Sequence, residues 1–391
     1  MKRIYMDHAA TTPLHPEVRE AMIASLELFG NPSSVHASGR EAKSSLHRAR
    51  DQVAAAIGCG PHEIIFTSGG SESDNTAIMG VLWSRWLKQQ RTGDTSVKPH
   101  MITTTIEHHA VLHTAEQAEK LGFEVSYIPP DSSGMIHPEQ IKAAIQPNTC
   151  LISVMYVNNE VGTIQPIEEI GRIAHEHGII MHTDAVQALG VIPFQLRDMP
   201  VDLASFSAHK INGPKGTGAL YAKHGVEWEP YLVGGSQERK RRAGTENVAG
   251  IVGFGVAAEI ASKGQKDKIL HAAEVRDALW NNMKDAFGDR VLRNGNEEHA
   301  APHILNVSLL DVPTETLLMN LDMMGIMASS GSACTSGSLE VSHVLEAMHL
   351  PLERTRTAVR FSVGLGNTVE QAHAVVKQLE AIVSRVRTRR A

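Results

Sequence analysis

The residues best placed to do chemistry are a lysine and an aspartate, each at the end of an apolar run. Lys210 closes the segment Ser-Phe-Ser-Ala-His-Lys at 205–210, and a Gly/Pro-rich turn follows at 211–216. The run 201–206 reads as a buried strand. A lysine at its end, beside hydroxyl and imidazole groups, suits Schiff-base formation, because burial lowers the amine pKa and leaves a neutral nucleophile. The alternative is a surface lysine that opens a loop. Asp184 ends a second apolar run, 177–184, with Gln187 three residues on. It precedes Lys210 by 26 positions. An amine for an aldehyde and a carboxylate for a pyridinium nitrogen are two groups that pyridoxal phosphate requires. Such a spacing also arises by chance in α/β chains, so other residues must decide.

Residues 68–75, Ser-Gly-Gly-Ser-Glu-Ser-Asp-Asn, lie between a strand at 63–67 and an amphipathic helix. Free N–H groups and the helix dipole make such a turn an anion site, with Ser71 adding a hydroxyl. A plain N-cap is the other reading. The turn lacks the Gly-Lys-Ser/Thr of a nucleotide loop. His108 and His109 follow a strand at 101–105. A flat imidazole there suits stacking on a planar cofactor; a zinc pair would want i, i+4 spacing and a nearby cysteine. Arg360 sits inside an apolar strand at 357–363, and a half-buried arginine there implies an anionic partner such as a substrate carboxylate. The segment 329–339, Ser-Ser-Gly-Ser-Ala-Cys-Thr-Ser-Gly-Ser-Leu, predicts a mobile loop. Its Cys334 is either an incidental loop cysteine or an exposed thiol that approaches a site and leaves it. Cys59 and Cys150 fall at a helix end and a strand start. The run Glu-Arg-Lys-Arg-Arg at 238–242 reads as a solvated face, with a phosphate or partner contact as the alternative.

The elements that must position these groups alternate. Strands at 63–67, 101–105, 124–128, 150–157, 177–184 and 201–206 are separated by helical patterns, which predicts a mainly parallel sheet. Ligands in such sheets bind at the carboxyl ends of the strands. Ser71, His108, Asn159, Asp184, Gln187, His209 and Lys210 all fall at such ends. A long helix at 248–262 leads to a second lobe, with a helix at 269–287, short strands at 304–309 and 357–363, and a last helix.

The 391 residues suit one large and one small lobe. Hydrophobic residues make up 42% and aromatics 4%, so the core is expected to be mostly aliphatic. A net charge of −6 argues against a general nucleic-acid binder. No run of 18 apolar residues predicts a membrane span. An acid at Asp7 interrupts any signal-peptide pattern, and the 3 scattered cysteines suggest no disulfide framework, so a reducing cytoplasm is expected.

The motifs at 5–13, 67–75, 107–111, 157–162, 182–187, 205–216, 244–245, 329–339 and 360–364 together resemble the NifS/IscS-type cysteine desulfurases, long-loop group, within the fold-type I pyridoxal-phosphate enzymes. The resemblance implies an α/β fold. A large domain over 14–258 would hold a mainly parallel seven-stranded sheet. A smaller α+β domain, from 1–13 and 259–391, would carry the Cys334 loop. L-cysteine would become L-alanine, leaving a persulfide on Cys334 for an acceptor protein, either an iron–sulfur scaffold or a tRNA-thiolation enzyme. Lys210 would hold pyridoxal 5′-phosphate as a Schiff base and shuttle the Cα proton. Asp184 would pair with the pyridinium nitrogen, Gln187 with the phenolic oxygen, and Asn159 would lie on that side. His108 would stack on the ring and assist proton transfer. Gly70, Ser71, Ser207 and His209 would hold the phosphate, with Thr245 reaching in from the second subunit of a homodimer. Arg360, helped by Asn31, would grip the substrate carboxylate. Cys334 is also a candidate ligand for a transient iron–sulfur cluster. A selenocysteine or cystine lyase, or an aminotransferase on the same fold, is the alternative activity. Two departures stand out. Ser71 replaces the more usual threonine. The chain also stops at 389–391 soon after its last helix, where members serving iron–sulfur scaffolds often continue, which leaves the acceptor open.

Overall fold

The computed structural model describes residues 3–93, 97–310, 312–331 and 341–388. Its centre is a seven-stranded sheet in the order Ile64–Thr67, Gly218–Ala222, Leu203–Ser207, Ile180–Asp184, Thr149–Ser153, His100–Thr104, Glu124–Ile128. Gly218–Ala222 runs antiparallel to both neighbours, and the remaining pairs are parallel. Six strands therefore point the same way and deliver their carboxyl ends to one edge. In register there, Asp184 lies opposite Ser205.

Alternation along each strand builds two cores. Phe66, Ile102, Ile152, Met181 and Ala204 join one buried cluster. Their strand neighbours Ile65, Met101, Leu151 and Leu203 join another on the opposite face. Helices cover both faces. In Ile167–Glu176 the buried residues are Ile167, Ile170, Gly171 and Ala174, an apolar stripe at helical period. Helix Gly70–Thr92 contributes Ala77, Ile78, Val81 and Leu82 to the core beneath it. A third cluster surrounds the three-stranded antiparallel sheet Ala358–Ser362, Ile304–Leu309, Val291–Asn294.

The amino-terminal segment ties these parts together. Ile4–Tyr5 pairs in parallel with Ile326–Met327. Asp7 then bridges to Ser362, and the Thr12 hydroxyl donates to the His209 carbonyl at 2.7 Å.

Two features differ from the sequence reading. The expected strand at 150–157 is Thr149–Ser153, because the chain turns back at 158–163, where the Gly162 N–H donates to the Asn158 carbonyl. Gly218–Ala222 was not anticipated as a strand. Its residues, Gly-Ala-Leu-Tyr-Ala, lack the β-branched side chains that mark strands. Its glycine is required by packing: a Cβ at Gly218 would stand 2.5 Å from the Phe206 carbonyl oxygen and 2.6 Å from Gly69 Cα.

The basic run at 238–242 is a solvated face only in part: Arg239 and Lys240 are exposed, while Glu238, Arg241 and Arg242 are engaged. Glu238 is buried and takes both Arg50 guanidinium nitrogens at 2.8 and 2.6 Å, plus the Phe66 N–H at 3.0 Å. Arg242 donates to Glu72 at 2.8 and 3.2 Å. Arg241 lies over the Trp228 ring and donates to the Trp228 carbonyl at 2.8 Å. These clamps hold Glu238, Arg239 and Lys240 at φ of 44°, 58° and 66°, a left-handed stretch that costs about 1–2 kcal/mol per residue. Replacing Arg50 with alanine strands the Glu238 carboxylate inside the protein. Urea unfolding of Arg50→Ala should show a loss of about 3–5 kcal/mol, and a loss below 1 kcal/mol would contradict the clamp.

Candidate active site

Five turns at the common strand edge, the amino-terminal segment and one strand of the small sheet border a cavity of about 230 Å³. Lys210, Asp184, His108, Gln187, Asn159 and Arg360 line it, and so do Gly70, Ser71, Ser207 and His209. Lys210 ends the single turn Ala208–Lys210 that follows strand Leu203–Ser207. Its Nζ donates to the carbonyls of Ala9 and Ala10 at 2.6 and 2.9 Å. The amino-terminal segment therefore fixes the direction in which the lysine points.

Asp184 closes its strand as a buried residue, and the Val186 N–H donates to its Oδ1 at 2.9 Å. Burial pushes its carboxyl up to about 6, opposed by that hydrogen bond and by the Lys210 charge. Two further buried carboxyls lie near. Burial and the Asp184 charge hold Asp74 well above the usual carboxylate range. Burial raises Glu107 to about 8. Asp74 Oδ1 and Glu107 Oε2 have no hydrogen-bond partner. Neither Asp74 nor Glu107 was singled out in the sequence. Acids buried at an apolar strand end, in turns that also hold candidate groups, are the signal that could have found them. Raised to about 8, Glu107 is uncharged at neutral pH, whereas Asp184, at about 6 and lining the cavity, fits a ligand ring that presents a protonated nitrogen.

The imidazoles are kept neutral. His108 caps helix His109–Lys120, its Nδ1 accepting the Ala110 N–H at 3.1 Å, so its proton resides on Nε2. Burial first, then the Lys210 charge, pushes His108 down to about 4. His209 is lowered to about 4 for the same reasons, and its Nδ1 lies 3.1 Å from the Thr11 hydroxyl. His182, one strand position before Thr183, bridges the hydroxyls of Ser153 and Ser205 at 2.8 and 3.0 Å, and burial lowers it to about 3. Among the described residues, no cluster of three or more His, Cys, Asp or Glu side chains is placed to hold a metal ion.

One end of the cavity opens into a shallow cleft lined by Gly69, Gly70, Ser71, Ser207, His209 and Thr11. Helix Gly70–Thr92 starts here without a side-chain cap, since its N-cap is Gly69 at φ 155° and ψ −177°, a conformation open only to glycine. The unfilled N–H groups of a long helix, with two serine hydroxyls beside them, fit a phosphate. The ring and phosphate requirements of pyridoxal phosphate are thus met by adjoining parts of one pocket.

Arg360 was expected to be half-buried, but it is 1% exposed. Its Nη1 donates to the carbonyls of Asn159 and Gly331 at 2.8 and 3.1 Å, its Nη2 donates to Asp7 Oδ1 at 2.9 Å, and its Nε is unpartnered. A strand in a small antiparallel sheet can bury this side chain because the carbonyls and Asp7 solvate it. Asp7 was missed as a partner because it lies 353 positions away in sequence.

Two predicted residues stand apart. Asn31 and Thr245 are exposed and do not line the cavity within one chain. Cys334 lies outside the described residues. On either side of it, Gly331 and His343 both line the cavity. Burial pushes the thiols of Cys59 and Cys150 up to about 12, so both are unreactive as nucleophiles at neutral pH.

Comparisons with known proteins find relatives over nearly the whole chain. Residues 4–375 match the family model for class-V aminotransferases. The chain is 46% identical to a cysteine desulfurase IscS of Dictyoglomus turgidum, over 99% of this chain and 96% of that protein. It is 46% identical to the cysteine desulfurase IscS of Methanosarcina thermophila, over 99% and 93%. A solved NifS-like protein superposes with a TM-score of 0.89 at 38% identity, covering 98% of this chain and 100% of that one.

The buried imidazoles give a signed pH effect. His182 is neutral in the fold and titrates near 6.5 when unfolded, so its stabilising contribution is present above pH 6.5 and lost as pH falls toward 3. Between pH 6.5 and 4.5, His182→Gln should lose about 2–3 kcal/mol less stability than the parent, measured by urea midpoints. Equal losses would show that His182 is protonated in the folded protein.

Proposed function

The chain belongs to the class-V aminotransferase family, in its NifS/IscS-type cysteine desulfurase group, and we propose how its residues divide the work. It is a pyridoxal 5′-phosphate enzyme that takes sulfur from L-cysteine. The observation that carries the assignment of roles is the shared pocket of Lys210, Asp184 and His108 with Arg360 at its other wall.

The bound cofactor supplies an electron sink that acidifies the substrate Cα–H and weakens its Cβ–S bond. Asp184, drawn to the charged state by a cationic ring nitrogen, holds that nitrogen protonated. Gly70, Ser71, Ser207 and His209 hold the phosphate at the uncapped helix start. His108, a neutral imidazole with its proton on Nε2, would stack on the ring, and Gln187 and Asn159 would border its oxygen side. Lys210 would anchor the cofactor, and its amine would move the Cα proton. The backbone carbonyls of Ala9 and Ala10 keep it within reach. Arg360 binds the substrate carboxylate through its unpartnered Nε and the amino group now given to Asp7.

Cys334 is the nucleophile. Its thiolate attacks the substrate sulfur. An S–S bond forms as Cβ–S breaks, and the released electron pair, once protonated, ends in the methyl group of alanine. Cysteine and the enzyme thiol thus become alanine and an enzyme persulfide. Support comes from Gly331 and His343, which line the cavity and stand before and after Cys334 in the chain, and from the suppressed acidity of the two other thiols. The persulfide passes to an acceptor protein, an iron–sulfur scaffold or a tRNA-thiolation enzyme.

The working unit is a homodimer with two lobes in each subunit, a large domain over 14–258 and a smaller one from 1–13 and 259–391. Thr245 reaches the partner's phosphate site, and Asn31 assists at the substrate. Exposed Phe29 and Val35 beside Asn31, each 88% exposed, and Val233 at 80%, give apolar area for a partner to cover. No helix among the described residues is long and apolar enough to cross a membrane. A cytoplasmic location suits free thiol chemistry.

Two variants test the assignment. Cys334→Ala should bind pyridoxal phosphate with its visible absorption intact and form no persulfide from labelled cysteine; sulfide release at the parental rate would refute the nucleophile. Arg360→Gln should lower kcat/KM for cysteine by roughly 100-fold, mainly through KM, and an unchanged KM would remove it from the substrate site.

A further inference from the structure

The proposed reaction leaves one proton unassigned. When the Cβ–S bond breaks, its electron pair stays with the carbon side, and a third hydrogen must reach Cβ to complete the methyl group of alanine. Lys210 serves Cα, Asp184 serves the ring nitrogen, and His209 borders the phosphate cleft. Burial and the Lys210 charge keep His108 neutral down to about 4, and a neutral imidazole is a poor acid.

Two further ionisable groups line the same cavity with no role so far, His343 and Glu160. His343 opens helix His343–Ala347, and its Nε2 lies 3.0 Å from the Glu107 carbonyl oxygen. A carbonyl only accepts, so Nε2 carries a proton, and Nδ1 is the nitrogen left to exchange one. Nδ1 stands 4.0 Å from Glu160 Oε1. That is too far for a hydrogen bond that would occupy the nitrogen, and near enough for the carboxylate charge to act on it. The His109 ring packs on His343 with centroids 4.8 Å apart, which helps to hold the imidazole plane.

Glu160 is fixed in place. It is buried, the Ser342 hydroxyl donates to its Oε2, and its backbone N–H donates to Asn158 Oδ1 at 2.9 Å. The Asn306 amide donates to its carbonyl at 3.1 Å. Gly331 leaves room for the carboxylate, since a Cβ there would stand 2.5 Å from Oε2. Burial raises the Glu160 carboxyl, opposed by the Ser342 hydrogen bond and by the charges of His343 and Arg360. A carboxylate so placed is the partner that an imidazolium requires when it forms inside a protein.

We propose that His343 delivers the methyl proton to the substrate Cβ, with Glu160 as the positioning residue that answers its charge. In this step the Nδ1–H bond breaks, and a C–H bond forms with the electron pair released from Cβ–S. The imidazole is left neutral with its remaining proton on Nε2, and solvent recharges Nδ1. The proposal rests on the roles given to Lys210 and Arg360, and not on the identity of the thiol nucleophile.

L-Alanine in heavy water runs both proton transfers backwards without any sulfur. Proton NMR of L-alanine with the holoenzyme should show deuterium entering Cα and Cβ. His343→Gln keeps an amide able to donate to the Glu107 carbonyl. It should exchange Cα at the parental rate and Cβ at least about 100-fold more slowly. Glu160→Gln should slow Cβ exchange about tenfold with Cα exchange unchanged. Nitrogen NMR of the holoenzyme without substrate should show the neutral His343 ring protonated at Nε2. Undiminished Cβ exchange in folded His343→Gln would overturn the inference and hand the step to His108. Equal slowing at Cα and Cβ would overturn it as well, as would a neutral His343 ring protonated at Nδ1. So would Cα exchange without Cβ exchange in the parent, because an acid poised at Cβ works in both directions. No exchange at Cα in the parent would instead refute the Lys210 assignment beneath it. Should His343→Gln misfold, Glu160→Gln and the ring tautomer still decide.

Discussion

Burying Asp74, Glu107 and Asp184 close together at one sheet edge is the constraint on which the rest depends. Carboxyl groups taken out of water resist ionisation, and each charge raises its neighbours further. Such a floor is costly unless a cation answers it. Lys210 answers in part, and a protonated ring nitrogen would complete the balance. The same burial drives His108, His182 and His209 to the neutral state. One physical cause thus raises the carboxyls and keeps the imidazoles neutral.

The second organising contact is Arg360. Its guanidinium joins three segments that sequence keeps far apart: Asp7, the Asn159 carbonyl and the Gly331 carbonyl. In the role proposed for Arg360, a substrate carboxylate would share or displace Asp7. The amino-terminal segment takes part twice, through Asp7 on Arg360 and through the carbonyls of Ala9 and Ala10 on Lys210. A short strap, paired to Met327 at one end and held by His209 at the other, sets the separation between amine and guanidinium.

The strained turn at 238–240 shows how the scaffold supports more than the cavity. Glu238 is bound by Arg50 and Phe66, and Arg242 by Glu72 at the start of the helix that faces the phosphate cleft. The left-handed residues persist because these ion pairs over-determine them. Thr245 follows immediately. Charges that read as surface decoration instead fix the exit of the segment proposed to serve a partner subunit.

Much of the site was legible in the sequence because parallel strands make position along the chain equivalent to position in space. Each turn at a strand's carboxyl end must arrive at the same edge, so Ser71, His108, Asn159, Asp184 and Lys210 could be placed together before any coordinates existed. Alternation of apolar residues likewise determined which side chains enter the two cores. Tertiary structure alone decided what local pattern does not encode. It made Arg360 fully buried, found Asp7 as its partner, revealed the antiparallel strand Gly218–Ala222, and turned the basic run into clamps. The reason is that charge pairing and desolvation depend on distance through space, which a residue's sequence neighbours leave unspecified.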